Sequence, residues 1–313
     1  MVKIDLITGF LGSGKTTFLL KYARYLMNKG LRIGILEYDY GAVNVDMLLL
    51  NKLRCDRCEL EMMAAACDED CLKRRFRTKL IAMAMSGYDR VIVEPSGVFD
   101  MDMFFDTLRD DDTLERMYEI GSVITIVNAN LPDNEDSEEA FFLVSQAASA
   151  GSILLSRVQL SNAENIEKTK THLNRAGESI RCSIKGKYIA KDWEELTDDD
   201  FETISNSGYF SNDYMKSIAG RQTEFDSVCF LDLKSNLEET QKKIQTLFSD
   251  ESYGRIIRVK GFVCDKEGGY QLNATRHEIL TDLISIGQGV FIVIGTALNR
   301  DKIRELMYSR GDT

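Results

Sequence analysis

The stretch "ITGFLGSGKTTFL" at residues 7–19 constrains this chain more than any other. It fits G-x-x-x-x-G-K-[ST] from Gly9 to Thr16, with a β-rich run before it and apolar residues at helical spacing after it, which is the context this motif requires. Gly9, Gly12 and Gly14 allow the backbone to curl so that successive N–H groups face an anion, and the start of the following helix adds its dipole. Lys15 can reach the β- and γ-phosphates, and the Thr16 hydroxyl can ligate Mg²⁺. Ser13 and Thr17 complete the phosphate-facing loop. The expected ligand is a nucleoside triphosphate with magnesium.

The surrounding pattern agrees with such a loop. Short β-rich runs, Val2–Thr8, Arg32–Glu37, Arg90–Glu94, Ser122–Val127 and Ser152–Leu155, alternate with longer helical patterns such as "KTTFLLKYARYLMNKG" and "LKRRFRTKLIAMAMSG". That alternation predicts βαβ units around a mostly parallel sheet. In "RVIVEPSGVFD" a buried strand ends in Glu94 and Gly97 follows. Glu94 can hold magnesium through water or orient an attacking water, and the Gly97 N–H can meet the γ-phosphate; a strand-end carboxylate that merely caps a turn is the plainer alternative. From about 192 to 226 the sequence turns acidic and weakly periodic, which predicts a surface segment near a boundary. Trp193 reads there as an anchor for that segment. The runs "SVCFLDL", "RIIRVKGFVC", "GYQLNA" and "GVFIVIGT", with helical patterns between and after them, predict a small α+β unit.

Charge narrows the partners. The formal net charge is −11, so nucleic acid is not an expected partner. The basic run "KRRFRTK" at 73–79 reads as a solvated helix face. No stretch approaches the length of a membrane helix and no targeting leader is visible, so a cytoplasmic protein with reduced thiols is expected.

With these residues in view, the chain resembles the CobW-type P-loop GTPases, relatives of the urease and hydrogenase assembly GTPases. The opening loop is similar to theirs. "YDYGAVNVD" at 38–46 resembles their switch segment, with Asp39 in place of a glutamate, and "EPSG" resembles their glutamate-x-x-glycine motif. The tail "RVKGFV…GQGVFIVIGTALNRDKIREL" looks like their carboxy-terminal domain. The resemblance implies an α/β fold: a P-loop GTPase domain over 1–205 with a cysteine-rich insertion at about 51–72, a linker at 206–226 and a CobW-like α+β domain over 227–313. It implies a magnesium-dependent GTP-hydrolysing switch, with Thr16, Asp39 and Glu94 around the magnesium and Lys15, Glu94 and Gly97 at the reacting phosphate. Such a switch would act as metallochaperone or insertase for a client metalloprotein or cofactor carrier. Two alternatives stay open: a protein assisting a corrinoid-dependent system with purely structural thiols, and a regulatory nucleotide-binding module of low activity. The sequence does not decide between a monomer and a homo-oligomer.

Two departures from the family pattern bear on chemistry. Where the family has asparagine-lysine-x-aspartate for guanine, "ILLSRVQL" supplies Ser156, Arg157 and Gln159. Gln159 offers one carbonyl acceptor where a carboxylate offers two oxygens, so ATP remains an alternative to GTP. The second departure is "RCDRCELEMMAAACDEDCL" at 54–72, which gathers Cys55, Cys58, Cys67 and Cys71. The family's cysteine motif falls in this span, with Cys67 and Cys71 the closest counterparts, but at a different spacing. Pairs two to four residues apart suit zinc or another soft-ligand transition metal. A redox pair at Cys55 and Cys58, or plain packing with "LEMMAAAC" as an apolar helix, are the competing readings.

Overall fold

The computed structural model describes residues 1–39, 49–64, 69–99, 101–131, 137–179, 181–211, 225–231, 233, 235–264, 268–276, 278–284 and 289–309. The chain divides into two compact units, and the greater part of the second is Ala219–Thr313.

The first unit is built on seven parallel strands: β1 (Val2–Thr8), β2 (Ile33–Asp39), β3 (Cys58–Ala64), β4 (Arg90–Glu94), β5 (Tyr118–Asn128), β6 (Ser152–Ser156) and β7 (Lys187–Ile189). Their order in the sheet is β3-β2-β4-β1-β5-β6-β7. β1 pairs in parallel with β4 on one side and β5 on the other, with Leu6 opposite both Val93 and Val123. Every residue of β4 and β6 is buried, as expected of central strands covered on both faces. The helices of this unit are α1 (Lys15–Asn28), α2 (Glu69–Met85), α3 (Met101–Arg109), α4 (Asp112–Met117), α5 (Ser137–Ser149), α6 (Ala163–Ser179) and α7 (Asp198–Ser205). α1 buries Phe18, Leu19, Tyr22, Ala23 and Leu26, a stripe at helical spacing, and the chain leaves it through Gly30 at φ 88°.

Two expectations need correction. "LEMMAAAC" does not form an apolar helix: Cys58–Ala64 is strand β3, paired residue for residue with β2. Leu60 and Met63 go into the interior while Glu59 stays exposed, so a row of open ladder groups on β2 outweighs the helix propensity of Leu, Glu and Met. The acidic stretch after 192 is also more than a surface segment. Thr197 and Asp200 form a capping box at the start of α7. Phe201 and Ile204 then enter the same core as Phe18 and Tyr22, and the Phe201 ring stacks on that of Tyr25 at 5.1 Å. Residues 206–211 continue along this unit: Gly208 accepts from the Val123 N–H, and Tyr209 bridges to Ala150.

A buried ionic network ties this helix to the sheet. Arg90 pairs with Asp5 at 2.5 Å and donates to the Ser205 carbonyl at 2.6 Å, at the end of α7. The other Asp5 contacts come from the Tyr22 hydroxyl and the Ser122 N–H, each at 2.8 Å.

The second unit is an antiparallel sheet in the order β11-β10-β9-β12-β8, formed by β8 (Phe225–Leu231), β9 (Arg255–Cys264), β10 (Gly269–Thr275), β11 (Glu278–Ile284) and β12 (Val290–Thr296). Ile244 and Leu247 of α8 (Leu237–Ser249) and Ile303 and Met307 of α9 (Arg300–Tyr308) share a core with Phe230, Val259, Phe291 and Val293. β11 was not anticipated, because its exposed residues hide the alternation that marks a half-buried strand. Among the described residues, no helix is long and apolar enough to cross a membrane.

Arg90→Met would leave the Asp5 carboxylate buried without its counter-charge. The expected loss of stability is about 3–5 kcal/mol, read as a lower denaturant midpoint at unchanged slope.

Candidate functional site

The parallel pairing of β1 and β4 brings the loops at their carboxyl ends side by side, at the edge where open α/β sheets bind ligands. The loop after β1 turns through three glycines with positive φ, Gly9 at 146°, Gly12 at 79° and Gly14 at 102°. A Cβ on Gly9 would lie 2.3 Å from the Ile126 carbonyl oxygen, so no other residue fits there. Gly14 in its left-handed conformation is the residue from which α1 starts. The Ser13 hydroxyl is sealed inside this loop with no hydrogen-bond partner among the described residues. Lys15 is buried, and its ammonium donates to the Gly9 carbonyl at 2.9 Å, closing the loop on itself. Thr17 is exposed on the first turn of α1. A curled backbone, a helix start and a buried lysine together fit a polyphosphate.

Glu94 ends β4 and is 2% exposed. The Thr16 hydroxyl donates to its Oε1 at 2.7 Å. A hydroxyl and a carboxylate, both hard oxygen donors, thus meet beside the loop, a set that suits Mg²⁺. Gly97 presses directly on the glycine loop: a Cβ there would lie 2.5 Å from the Leu11 nitrogen and 2.8 Å from the Phe10 carbonyl carbon. Its carbonyl accepts from Nε2 of Gln146, a fully buried residue of α5.

On the other side of the loop stand the residues read as base-recognising. Ser156 ends β6, buried, with its hydroxyl donating to the Val127 carbonyl at 3.4 Å. Arg157 takes a left-handed φ of 58° and donates from Nη2 to the Gly12 carbonyl at 3.3 Å. Gln159 lies exposed in the 3₁₀ turn Val158–Leu160 that follows. The structure therefore gathers Gly9, Gly12, Ser13, Gly14, Lys15, Thr16, Glu94, Gly97, Ser156 and Arg157 around one loop. The backbone of Asp39 ends β2, but its side chain is outside the described residues, as are Tyr40–Asp46 of the switch-like segment.

Two neighbours of the loop, Glu37 and Gln146, escaped sequence reading, and a third, Trp193, has a role beyond the one read. Glu37 is 2% exposed and lies opposite Glu94 in the β2–β4 ladder; its signal was a carboxylate inside the apolar run "IGILEYD". Gln146 sits in a helix whose neighbours are small and apolar, with nothing local to mark it. Trp193 does anchor the acidic segment, edge-on to Phe18 at 5.6 Å, but it also walls the loop. A Cβ on Gly14 would lie 3.2 Å from the Trp193 ring and 3.8 Å from the Ser156 Cβ. The segment carrying Trp193 is held by Lys191, paired with Asp200 at 2.7 Å, and by Glu194, paired with Lys21 at 2.8 Å.

Among the described residues, the cysteines of this span lie on different elements. Cys55 and Cys58 exchange backbone hydrogen bonds across a tight turn at the amino end of β3. Cys71 lies in the first turns of α2, beyond the carboxyl end of that strand. β3 is seven residues long, which separates its ends by roughly 20 Å. Among the described residues, the pair Cys55 and Cys58 thus stands at the other end of β3 from the helix that carries Cys71. Cys58 is fully buried, and burial pushes its thiol up to about 12, with the neighbouring Cys55 adding to the rise. Cys55 is exposed, its sulfur 3.7 Å from that of Met27. Cys67 lies outside the described residues. Among the described residues, no group of three or more His, Cys, Asp or Glu side chains is arranged to hold a metal ion.

Residues 3–182 match the family model described as the CobW/HypB/UreG nucleotide-binding domain. The zinc chaperone YjiA of Escherichia coli (strain K12) is 24% identical over 278 residues, covering 84% of this chain and 81% of that protein. Zinc-regulated GTPase metalloprotein activator 1 of Dictyostelium discoideum is 24% identical over 219 residues; the match takes in 58% of this chain and 45% of that longer protein. Among solved structures, the zinc-bound YjiA GTPase from E. coli aligns over 97% of each chain at 19% identity, with a TM-score of 0.38. HypB from Helicobacter pylori in complex with nickel aligns over 66% of this chain and 84% of its own, at 14% identity and a TM-score of 0.41.

Two outcomes are expected at this site. Gly97→Ala should weaken nucleotide binding by at least about tenfold, or 1.4 kcal/mol, because the added methyl meets backbone rather than a movable side chain; calorimetric titration reads this. Asp200 is held down to about 2, chiefly by the Lys191 ammonium and then by the Thr197 N–H. Its stabilising contribution is thus full above the ordinary carboxyl value of 3.8 and is lost as pH falls towards 2. Melting scans should show the advantage of wild type over Asp200→Asn shrinking across that interval.

Proposed function

The chain belongs to the CobW/HypB/UreG family of nucleotide-binding proteins, and from that premise we propose that it is a magnesium-dependent, GTP-hydrolysing switch that delivers or inserts a metal into a client metalloprotein. The observation that carries this reading is the meeting of Thr16 and Glu94 at 2.7 Å beside a loop that Gly97 touches. Here the magnesium-binding hydroxyl, the strand-end carboxylate and the glycine that faces the terminal phosphate occupy one small volume.

In this reading the loop N–H groups from Gly12 to Thr16 cradle the phosphates. Lys15 exchanges the Gly9 carbonyl for phosphate oxygens. The Thr16 hydroxyl and Glu94 hold Mg²⁺, which supplies charge neutralisation of the phosphates when bound. Glu94 also orients the attacking water, and the Gly97 N–H meets the γ-phosphate, so that loss of this phosphate releases the segment after β4. Gln146 is a positioning residue, fixing the Gly97 peptide through its carbonyl. Arg157 and Trp193 flank the base side of the loop, where the guanidinium plane and the indole can face a purine. GTP is favoured over ATP because the Dictyostelium relative is named a GTPase.

The cargo is read as zinc, from the names of both curated relatives. Cys67 and Cys71 are the proposed thiolates, Cys71 lying in the first turns of α2. Cys58 is better suited to packing: a thiol driven up to about 12 by burial is a poor source of thiolate at neutral pH.

One comparison tests the whole reading. Wild type should hydrolyse GTP in the presence of magnesium and bind zinc anaerobically. Lys15→Ala should lose hydrolysis but keep zinc, and Cys67→Ser/Cys71→Ser should lose zinc but keep hydrolysis. Absence of turnover in wild type, or zinc retained by the double serine variant, would refute the corresponding half.

A further inference from the structure

Tyr209 belongs to the stretch by which the chain leaves the first unit. It is remote from the glycine loop in sequence, yet two elements joined to Gly97 both end on it. The first is the helix that follows Gly97. α3 begins four residues later, and its Phe105 and Arg109, one turn apart, pack on Tyr209. The two rings stand 5.4 Å apart, and the Arg109 guanidinium lies 5.2 Å from the Phe105 ring and 5.9 Å from that of Tyr209. The second is α5. Its Gln146 donates to the Gly97 carbonyl at 3.1 Å. One turn later the Ser149 carbonyl accepts from the Phe210 N–H at 3.1 Å, and Ala150 bridges to Tyr209.

The backbone beneath these contacts is tightly seated. A Cβ on Gly151 would lie 2.2 Å from the Gly208 carbonyl oxygen and 2.4 Å from that of Ser207. The Gly208 carbonyl also accepts from the Val123 N–H of β5 at 3.0 Å. Two residues further along β5, the Thr125 hydroxyl donates to the Gln146 carbonyl at 2.9 Å and fixes the turn of α5 that carries the amide. One strand thus frames both arms. Within that frame the side chains are what can report a shift at Gly97: the amide of Gln146, and the aromatic and cationic groups that α3 lays on Tyr209. Stacked and cation–π contacts of this kind weaken with small displacements, because they depend on ring spacing.

We propose that the occupant of the γ-phosphate site sets how firmly Tyr209 and Phe210 are held. With triphosphate bound, Gly97 is fixed, and α3 and α5 close on these two residues together. With diphosphate, the segment after β4 is released and the grip of Phe105 and Arg109 on the Tyr209 ring loosens. The inference rests on the switch reading given above and adds where the switch is read out. Coupling between two sites is reciprocal, so a change at Tyr209 alters the preference for triphosphate over diphosphate.

The test uses the full chain with magnesium and either GDP or the non-hydrolysable analogue GMPPNP. Hydrogen exchange over residues 101–109 and 207–211 should be slower with GMPPNP than with GDP. Calorimetric titration gives the ratio of the two affinities. Arg109→Gln, a change at an exposed residue, should lower the preference for GMPPNP by about fivefold or more while GDP affinity stays unchanged. Tyr209→Leu should act in the same direction, and Tyr209→Phe, which keeps the ring, should match wild type; melting curves establish that each variant folds. A purely structural role would weaken both nucleotides alike. Equal exchange in the two nucleotide states, or an unchanged ratio in Arg109→Gln, would overturn the proposal and leave the switch reading standing wherever wild type hydrolyses GTP. Wild type that binds neither nucleotide would overturn both.

Discussion

The contact between Gly97 and the backbone of Phe10 and Leu11 is the constraint on which the rest of the site depends. Two loops from different strands cannot approach so closely unless β1 and β4 are adjacent, parallel and in fixed register, and unless neither loop carries a side chain at the point of contact. The register is set by strands buried on both faces, where a slip of one residue would expose apolar groups. Glu94 is then delivered to Thr16 as a consequence, three residues before the glycine. The carboxylate, the hydroxyl and the close glycine are one device, and its accuracy comes from the sheet beneath it.

The opposite end of β1 is secured by different physics. Asp5 and Arg90 are a buried ion pair whose remaining bonds go to Tyr22, Ser122 and the last turn of α7. The pair recruits the acidic segment that would otherwise trail off the domain. That same segment supplies Trp193 to the loop, where it is held by the Phe18 ring, while the end of α7 is held by Arg90.

Much of this was legible in the sequence because it is local. The glycine loop, its lysine and threonine, and Glu94 and Gly97 follow from residues within a few positions of a strand end, and spacing alone locates them. The tail similarly announces its strands by apolar runs. What was hidden depends on pairing at a distance. Nothing around Glu59, Met62 and Met63 says that β2 is waiting for a partner, so the segment reads as helix. Phe201 and Ile204 look weakly periodic until Tyr25 and Phe18 stand beside them. Linear spacing also cannot show that a seven-residue strand follows Cys55 and precedes the helix that carries Cys71.

The hydrogen bond from Thr16 to Glu94 has a consequence for the proposed switch. Two oxygens that would grip a cation in that reading also satisfy one another. On that reading, an incoming nucleotide complex would have to displace an internal partner, which would trim its affinity, and the bond would reform as product leaves. Such a bond would act as a built-in return stroke that favours letting go.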